Sequence, residues 1–346
     1  MSILSGVNNF FGLDIGATAV RLVELSGSGP TKSLAKYAYV PLDGTIATSD
    51  SAQDQKKLAQ IIKDLVEQAR LNTKNVAVGL PSQKVFTTVV DIDRLAESEL
   101  ARSIALQADS LIPTPLSESK LDWALLGDSP TDKTKVEVLL TSVTNNYVEG
   151  RLDMLESIGL NVIAFEPGNL ALSRAMQAPD QTTAQMVFSI GSNSTDLVIT
   201  MGGAPRLTRS IPTGVDAIVK AAAQNLNIDI KQAEHFVSKF GLTQDKLEGQ
   251  VYQAIIGTVD GLAAEIDKSI KFFSTRYAGT KLERIIVTGG ASTMPSFPNY
   301  LANQFKLEVE IGNAWRNVAY SSDRQDELLA ISSQFGTAVG LAERAE

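Results

Sequence analysis

One pattern in this chain occurs twice, and it constrains the fold more than any other feature. Leu13-Asp14-Ile15-Gly16-Ala17-Thr18-Ala19-Val20-Arg21-Leu22-Val23 reads as a strand, an Ile-Gly turn with small residues, and a second strand. Phe188-Ser189-Ile190-Gly191-Ser192-Asn193-Ser194-Thr195-Asp196-Leu197-Val198 repeats it 175 residues later. Each copy is followed by a third strand and then by helices. Self-similarity at half the chain length predicts two similar halves facing each other across a cleft. The turn has a chemical use: glycine permits close backbone approach, and small side chains leave amide N–H groups open to an anion. One Ile-Gly hairpin is ordinary. Two at matching places in two halves point to a clasp for a polyphosphate.

The chain has 346 residues, enough for two or three domains. Its net charge of -8 argues against broad nucleic-acid binding, which needs a basic face. It has no cysteine, so disulfides and thiolate metal sites are excluded. Its one histidine, His235, leaves a histidine metal site or a Ser-His-Asp triad almost no basis, and it reads as a packed or exposed helix residue. No apolar run approaches the roughly 20 residues that cross a bilayer. The opening residues, 1–16, have no basic stretch before an apolar one, so no signal peptide is expected. A cytoplasmic location follows as the expectation.

Apolar periodicity predicts strands at Phe10–Ile15, Ala19–Leu25 and Ser33–Leu42, a helix at Gln53–Leu71 and a buried strand at Asn75–Leu80 that stops at Pro81. Residues 84–163 read as a separate small α+β unit of strand, helix, strand, strand, helix, strand. Its first helix, Glu97–Leu111, is closed by Ile112-Pro113-Thr114-Pro115. The second half restarts with strands at Met186–Ile190, Thr195–Met201 and Pro205–Ile211. Helices are expected from about 215 to 278, then a strand at Arg284–Thr288, a Gly-Gly turn and C-terminal helices.

Five motifs in order resemble those of the actin, Hsp70 and sugar-kinase ATPases. The first phosphate loop resembles Asp14-Ile15-Gly16-Ala17-Thr18, with Arg21 where the superfamily often has lysine. The connecting segments resemble Glu166-Pro167-Gly168-Asn169-Leu170-Ala171 and Gly336-Thr337-Ala338-Val339-Gly340. The second phosphate loop resembles Ser189-Ile190-Gly191-Ser192-Asn193-Ser194-Thr195, and the adenosine motif resembles Val287-Thr288-Gly289-Gly290-Ala291-Ser292. Within the superfamily the chain resembles the PilM family of type IV pilus assembly proteins, with the cell-division protein FtsA as near relative. That likeness rests on the placing of 84–163, on the Ser98-Glu99-Leu100 helix start, on Ala108–Pro115 and Leu121-Asp122-Trp123, on Val136–Thr141, and on the helix around Glu265–Phe273. The sequence runs a few residues past Gly340, so the tail and membrane-binding helix of FtsA are not expected.

The resemblance implies an α/β, bilobal actin-like fold, a duplicated ribonuclease-H-like unit with a small inserted α+β domain as in FtsA. It divides the chain into a first lobe (1–83), the insertion (84–163), a return to the first lobe (164–184), a second lobe (185–214 and 281–330) bearing a helical subdomain (215–280), and a C-terminal helix (331–346) returning to the first lobe. It implies ATP or ADP with Mg²⁺ as ligands, and Asp14 holding Mg²⁺ through water. Gly16, Ala17, Thr18, Gly191, Ser192, Asn193 and Ser194 would cradle phosphates, with Arg21 adding a charge-assisted contact. Gly289, Gly290 and Ala291 would lie against adenosine, Glu234 against ribose, and Glu166 would orient the attacking water. Two departures stand out: Ser189 replaces an aspartate, and Val237 a lysine. Nucleotide binding with slow or negligible hydrolysis is therefore expected. The implied partner is the cytoplasmic N-terminal segment of PilN, in a groove between the first lobe and 84–163. The pilus assembly ATPase PilB is a second candidate partner, and membrane association would come through PilN. An FtsA-like or actin-like filament protein, a small-molecule kinase and a nucleotide-free interaction module are the rival readings.

Overall fold

The computed structural model describes residues 9–345, apart from 28, 30, 44, 45, 50, 179 and 180 and the side chain of residue 97. The expectation of no signal peptide rests in part on residues 1–8, which lie outside the described residues. No helix among the described residues is long and apolar enough to cross a membrane.

The chain opens with β1 (Phe11–Ile15), β2 (Ala19–Ser26), β3 (Lys32–Pro41), α1 (Ala52–Ala69) and β4 (Asn75–Leu80). Helix α1 starts where the Ser51 hydroxyl accepts the Asp54 N–H at 3.1 Å, and it stops where Arg70 turns left-handed. Leu58, Ile62 and Leu65 form its buried stripe and pack on Phe11, Leu13 and Ile15. Then come β5 (Val85–Asp93), α2 (Glu97–Leu111), β6 (Ser119–Asp128), β7 (Lys135–Thr144), α3 (Asn145–Ser157), β8 (Asn161–Pro167) and α4 (Gly168–Met176). The second half runs β9 (Ala184–Ile190), β10 (Thr195–Met201), β11 (Ala204–Ile211), α5 (Val215–Leu226), α6 (Ile230–Phe240), α7 (Gln250–Arg276), β12 (Leu282–Gly289), α8 (Phe297–Phe305), β13 (Glu308–Ile311), β14 (Val318–Ala319) and α9 (Gln325–Ala342).

The repeat in sequence is a repeat in topology. One sheet has the order β14-β3-β2-β1-β4-β8, the other β11-β10-β9-β12-β13. In each, three antiparallel strands form a meander, and two further strands pair parallel beyond its first strand. Helices α4 and α9 join a core that both sheets share: Val23 and Leu25 from one, Val187 and Ile286 from the other, Leu172 and Met176 from α4, Phe335 and Val339 from α9.

Strands β5, β7 and β6 make a separate three-stranded antiparallel sheet, with Leu100 and Ile104 of α2 on Ile92, Val136, Val138 and Leu140. The second helix of the 84–163 stretch behaves differently from its neighbours in sequence. Met154 and Leu155 of α3 are buried with α1 in the first-lobe core, and the strand that follows, β8, pairs with β4. Beyond Thr144 the chain has left the small sheet.

That small sheet is tied to the second lobe through buried charge. Glu137 on β7 is 1% exposed and accepts from Arg206 of β11 (2.6 Å), from Arg276 at the end of α7 (2.8 Å) and from the Tyr277 hydroxyl (2.7 Å). Arg276 also reaches Asp91 of β5 at 3.0 Å. Removing one member of such a cluster leaves the others desolvated and uncompensated. Glu137→Gln is therefore expected to lower the unfolding free energy by about 3–5 kcal/mol in a urea titration; a loss within experimental error would show that the network is solvated.

Candidate functional site

The two hairpins share one backbone geometry. The Gly16 N–H donates to the Ala19 carbonyl at 3.0 Å, and the Gly191 N–H donates to the Ser194 carbonyl at 2.8 Å. The cross-strand pairs also match by position: Asp14 stands opposite Arg21, and Ser189 opposite Asp196. The first hairpin carries its acid on the leading strand, the second on the returning strand.

The hairpins meet at the same end of the molecule. β1 pairs parallel with β4 (Leu13 beside Val78), so Gly16 and Pro81 leave the first sheet together. The single turn Ser82–Lys84 follows and packs against β11, and the Ser82 hydroxyl faces the Asp196 carboxylate on β10.

Behind the second hairpin, the Val215 N–H donates to the Gly191 carbonyl (2.9 Å) and the Asp216 N–H to the Ser192 carbonyl (3.0 Å). The Ser192 hydroxyl donates to the Asp216 carboxylate at 2.8 Å. This approach requires Gly214, where a Cβ would sit 2.3 Å from the Ser192 carbonyl oxygen. A trans peptide points its N–H opposite its C=O. With both carbonyls held by the start of α5, the Ser192 and Asn193 N–H groups point away from that helix. Among the described residues, the amides of Ala17, Thr18, Ser192 and Asn193 donate to no protein acceptor. Four such donors on two glycine turns suit an anionic ligand.

Gly289 closes the site from the β12 side. Its φ of +85° suits glycine, and a Cβ there would lie 2.5 Å from the Ile190 carbonyl oxygen. The Gly290 N–H donates to that same oxygen at 2.9 Å, and Ala291 is buried just beyond. The structure thus gathers Asp14, Gly16, Ala17, Thr18 and Arg21 from one lobe, and Gly191, Ser192, Asn193, Ser194, Gly289, Gly290 and Ala291 from the other.

Charge in the cleft is sparse and desolvated. Burial pushes the Asp14 carboxyl above the ordinary carboxylate range, and Arg21, 3.7 Å away, offsets part of that rise. The Arg21 side chain is 11% exposed, and its guanidinium lies beside Gly16 and keeps a buried Nε without a hydrogen-bond partner. A desolvated acid and a guanidinium with a spare donor suit a cation–phosphate ligand. Among the described residues no cluster of three or more acidic, His or Cys side chains could hold a metal alone. A Mg²⁺ here would depend on Asp14, water and the ligand's own oxygens, as that ion commonly does.

Two expected residues fall outside this group. Glu234 is exposed on α6 between the buried Ala233 and Val237, and it makes no hydrogen bond or ion pair among the described residues. Glu166 is committed to arginines. One of its oxygens accepts from Arg174, and the other from Arg174 (3.3 Å) and Arg344 (3.1 Å). Only 7% of the side chain is exposed. A carboxylate with both oxygens committed to guanidinium groups fastens the end of α9 to β8 and α4, a structural task that two arginines hold it to.

Asp196 is the residue that motif reading passed over. It belongs to the repeated segment itself, two positions beyond Ser194. Burial pushes its carboxyl up, with smaller opposing effects from the Ser210 and Ser82 hydroxyls, and its Oδ1 is buried without a hydrogen-bond partner. Alignment of the two repeats places it where Arg21 stands in the first, which was the available signal.

A family model described as "Type IV pilus assembly protein PilM" matches residues 12–346. The chain belongs to this PilM family. A solved structure described as a PilM-PilN type IV pilus biogenesis complex is similar, with a TM-score of 0.80 at 27% identity over 96% of this chain and 97% of that one. MreB5 of Spiroplasma citri, crystallised with AMPPNP, shares the fold with a TM-score of 0.53 at 13% identity, over 96% and 95% of the two chains. The cell division protein FtsA of Neisseria meningitidis serogroup B (strain ATCC BAA-335 / MC58) is 22% identical over 361 residues, 92% of this chain and 83% of its own. The bilobal actin-like fold expected from the motifs is the fold of this PilM-family chain.

The Glu166 cluster makes a pH prediction. Glu343 lies near Arg174 and Lys32, yet both its oxygens are buried without hydrogen-bond partners, and burial pushes its carboxyl up to about 7. A folded value above the ordinary 4.5 means the native state holds the proton more tightly. Glu343's contribution is thus fully present below about pH 4.5 and is lost as pH rises through 7. Glu343→Gln is expected to remove that part of the fall in stability between pH 4.5 and 7 in urea titrations. Parallel wild-type and variant profiles would contradict the burial of this group.

Proposed function

We propose that this chain is an actin-like, nucleotide-binding scaffold of the type IV pilus inner-membrane assembly complex, and that it binds the cytoplasmic N-terminal segment of PilN. ATP or ADP with Mg²⁺ would occupy the cleft between the hairpins. The chain would lie in the cytoplasm and reach the membrane through PilN. The observation that carries this reading is a groove at the seam between the first lobe and the inserted stretch, in a chain that resembles a PilM-PilN complex along nearly its whole length.

The groove is lined by Gln55 of α1, Lys84, Thr144, and Asn146, Tyr147 and Arg151 of α3. Arg151 is fixed by the Ala47 carbonyl (2.8 Å) and the Gln55 side chain (3.2 Å). The Tyr147 ring has the Arg151 guanidinium 5.5 Å from its centre and the Lys84 ammonium 5.6 Å from it. A held aromatic ring flanked by donors suits an extended peptide, which offers backbone carbonyls and apolar side chains together.

In the cleft, the amides of Ala17, Thr18, Ser192 and Asn193 and the Arg21 guanidinium would bind phosphate oxygens. Asp14 would orient water on Mg²⁺, and the ion's chemistry is to neutralise charge on those oxygens. Ser189 supplies no negative charge, and Glu166 is held by Arg174 and Arg344. Asp196, whose carboxyl is shifted upward, is left as an acceptor for a proton from water. Turnover is accordingly slow, and the nucleotide serves chiefly as a structural ligand.

Calorimetry on the full chain tests both halves. Mg²⁺-ATP is expected to bind wild type and to bind Asp14→Ala on the order of ten- to a hundredfold more weakly, the loss of a charge-assisted contact. Equal affinities would remove Asp14 from the site. A synthetic peptide of the PilN N-terminal segment is expected to lose about 2 kcal/mol or more on Tyr147→Ala, as for an aromatic anchor. Unchanged peptide binding would place the partner elsewhere.

A further inference from the structure

Strand β3 runs for 10 residues along the rim of the first sheet, and its outer side is covered only at the start. Among the described residues that side pairs with β14 alone, at Lys32 and Ser33. The chain leaves this lane after Ala319 and turns through Ser322–Arg324 into α9. From Lys36 to Pro41 the strand keeps an open edge.

One hydrogen bond fixes what the edge offers. The Leu42 N–H donates inward to the Thr18 carbonyl at 2.9 Å. Polar groups alternate sides along a strand, so those of Val40 and Ala38 also face β2, and the N–H and C=O of Tyr39 and Tyr37 face outward. The pairing with β2 is regular over this stretch, and its bulge falls before Lys36. These outward groups have no backbone partner among the described residues. Free N–H and C=O groups on a sheet edge are a template for another strand.

A groove follows this edge. Ala35–Tyr39 forms its floor, Leu65 and Ala69 of α1 line one wall, and Arg324 lines the other. Lys36, Ala38 and Val40 lie on the α1 side by strand alternation, and Ala38 and Val40 pack on the core that Leu65 enters. Tyr37 and Tyr39 take the opposite side, each edge-on to Phe335 at 5.4 and 6.0 Å between ring centres. Arg324 lies 5.1 Å over the Tyr37 ring, whose hydroxyl is bonded to Glu327. Tyr37 is thereby held in place, whereas Tyr39 is left 49% exposed.

Charge narrows the choice of occupant. The lining carries two cations, Lys36 and Arg324, and no acid, in a chain whose net charge is -8. Arg324 is matched in part by Glu327 at 3.6 Å. Lys36 makes no ion pair among the described residues, and its ammonium donates to the neutral Asn72 Oδ1 at 3.4 Å. The α1 acids Asp64 and Glu67 line a neighbouring groove instead.

We propose that this groove is a docking site in which an extended, acidic segment of a partner polypeptide adds a strand to β3. Its main chain completes the hydrogen bonds that Tyr37 and Tyr39 offer. The added strand runs antiparallel to β3. Its side chain opposite Ala38 is apolar and meets Leu65 and Ala69; the one opposite Lys36, two residues later, is a carboxylate. Main-chain bonds supply affinity in such an addition, and alternate side chains supply specificity. The site shares no residue with the groove at Tyr147, so it stands or falls independently of that reading.

The probe is a fluorescently labelled synthetic peptide, Thr-Val-Thr-Val-Thr-Glu-Thr with blocked ends, titrated into the full chain and followed by anisotropy. Saturable binding is expected, weaker by about tenfold or more on Lys36→Glu, the loss of one charge-assisted contact. The same peptide with lysine in place of its glutamate is expected to reverse that order and prefer the Lys36→Glu variant. N-methylation of the third and fifth residues, which lie opposite Tyr39 and Tyr37, is expected to abolish binding to wild type. Tyr147→Ala is expected to leave the affinity unchanged. No saturable binding at millimolar peptide, binding indifferent to N-methylation, or equal affinities of both peptides for both proteins overturns the proposal. Sedimentation that shows wild type self-associating, and Lys36→Glu monomeric, gives the edge to a second copy of this chain and overturns it as well.

Discussion

Helix α9 lies so close to α4 and β1 that only glycine fits at the contacts. A Cβ at Gly340 would stand 1.8 Å from the Ala171 carbonyl oxygen, and one at Gly12 would stand 2.3 Å from that of Ala338. Helix backbones in van der Waals contact fix their crossing with little freedom, because no side chain is left to repack between them. Around these contacts Phe335 and Val339 of α9 meet residues of both sheets. These contacts fasten α9 to the first lobe, and through the shared core the second sheet is seated on the same helix. The Glu166 cluster finishes the same task in polar form, holding the end of α9 to β8 and α4 through Arg344 and Arg174.

Much of this was readable in the sequence, and the parts that were not have identifiable causes. The repeat was legible because a glycine turn between apolar strands must be conspicuous: turn geometry restricts the residue, and burial on both faces of a sheet restricts its flanks. Helix α2 was legible from its periodicity and from the proline that stops it. Strands β13 and β14 were not, being four and two residues long at sheet edges, too short for a strand period to show. Helix α3 was grouped with the inserted unit because nothing local says which core Met154 and Leu155 enter. Glu166 was given a catalytic role because a motif position carries no record of its neighbours. The guanidinium groups that occupy it come from α4 and from a residue 178 positions away.

The two hairpins share a backbone and differ in charge. In the first, Asp14 and Arg21 face each other across the ladder; in the second, Ser189 faces Asp196. Each hairpin thus holds one carboxylate, both desolvated and both shifted toward the neutral form. Such a pair favours a ligand that brings its own cation, since an added positive charge relieves the burial of both acids. It does little for catalysis, where charge must be placed for the transition state rather than for the bound ground state.

The inserted sheet poses a different question, because buried ions and hydrogen bonds hold it to the second lobe. A hydrophobic contact of the same area would have been at least as stable, since desolvating Glu137 and its arginines costs much of what their attraction returns. Apolar surfaces, however, slide and repack at small cost, whereas a carboxylate fixed by two guanidiniums and a hydroxyl has one acceptable arrangement. The network therefore gives position rather than strength. Position is what a strand pair needs if its far end forms one wall of a groove whose other wall belongs to a different lobe.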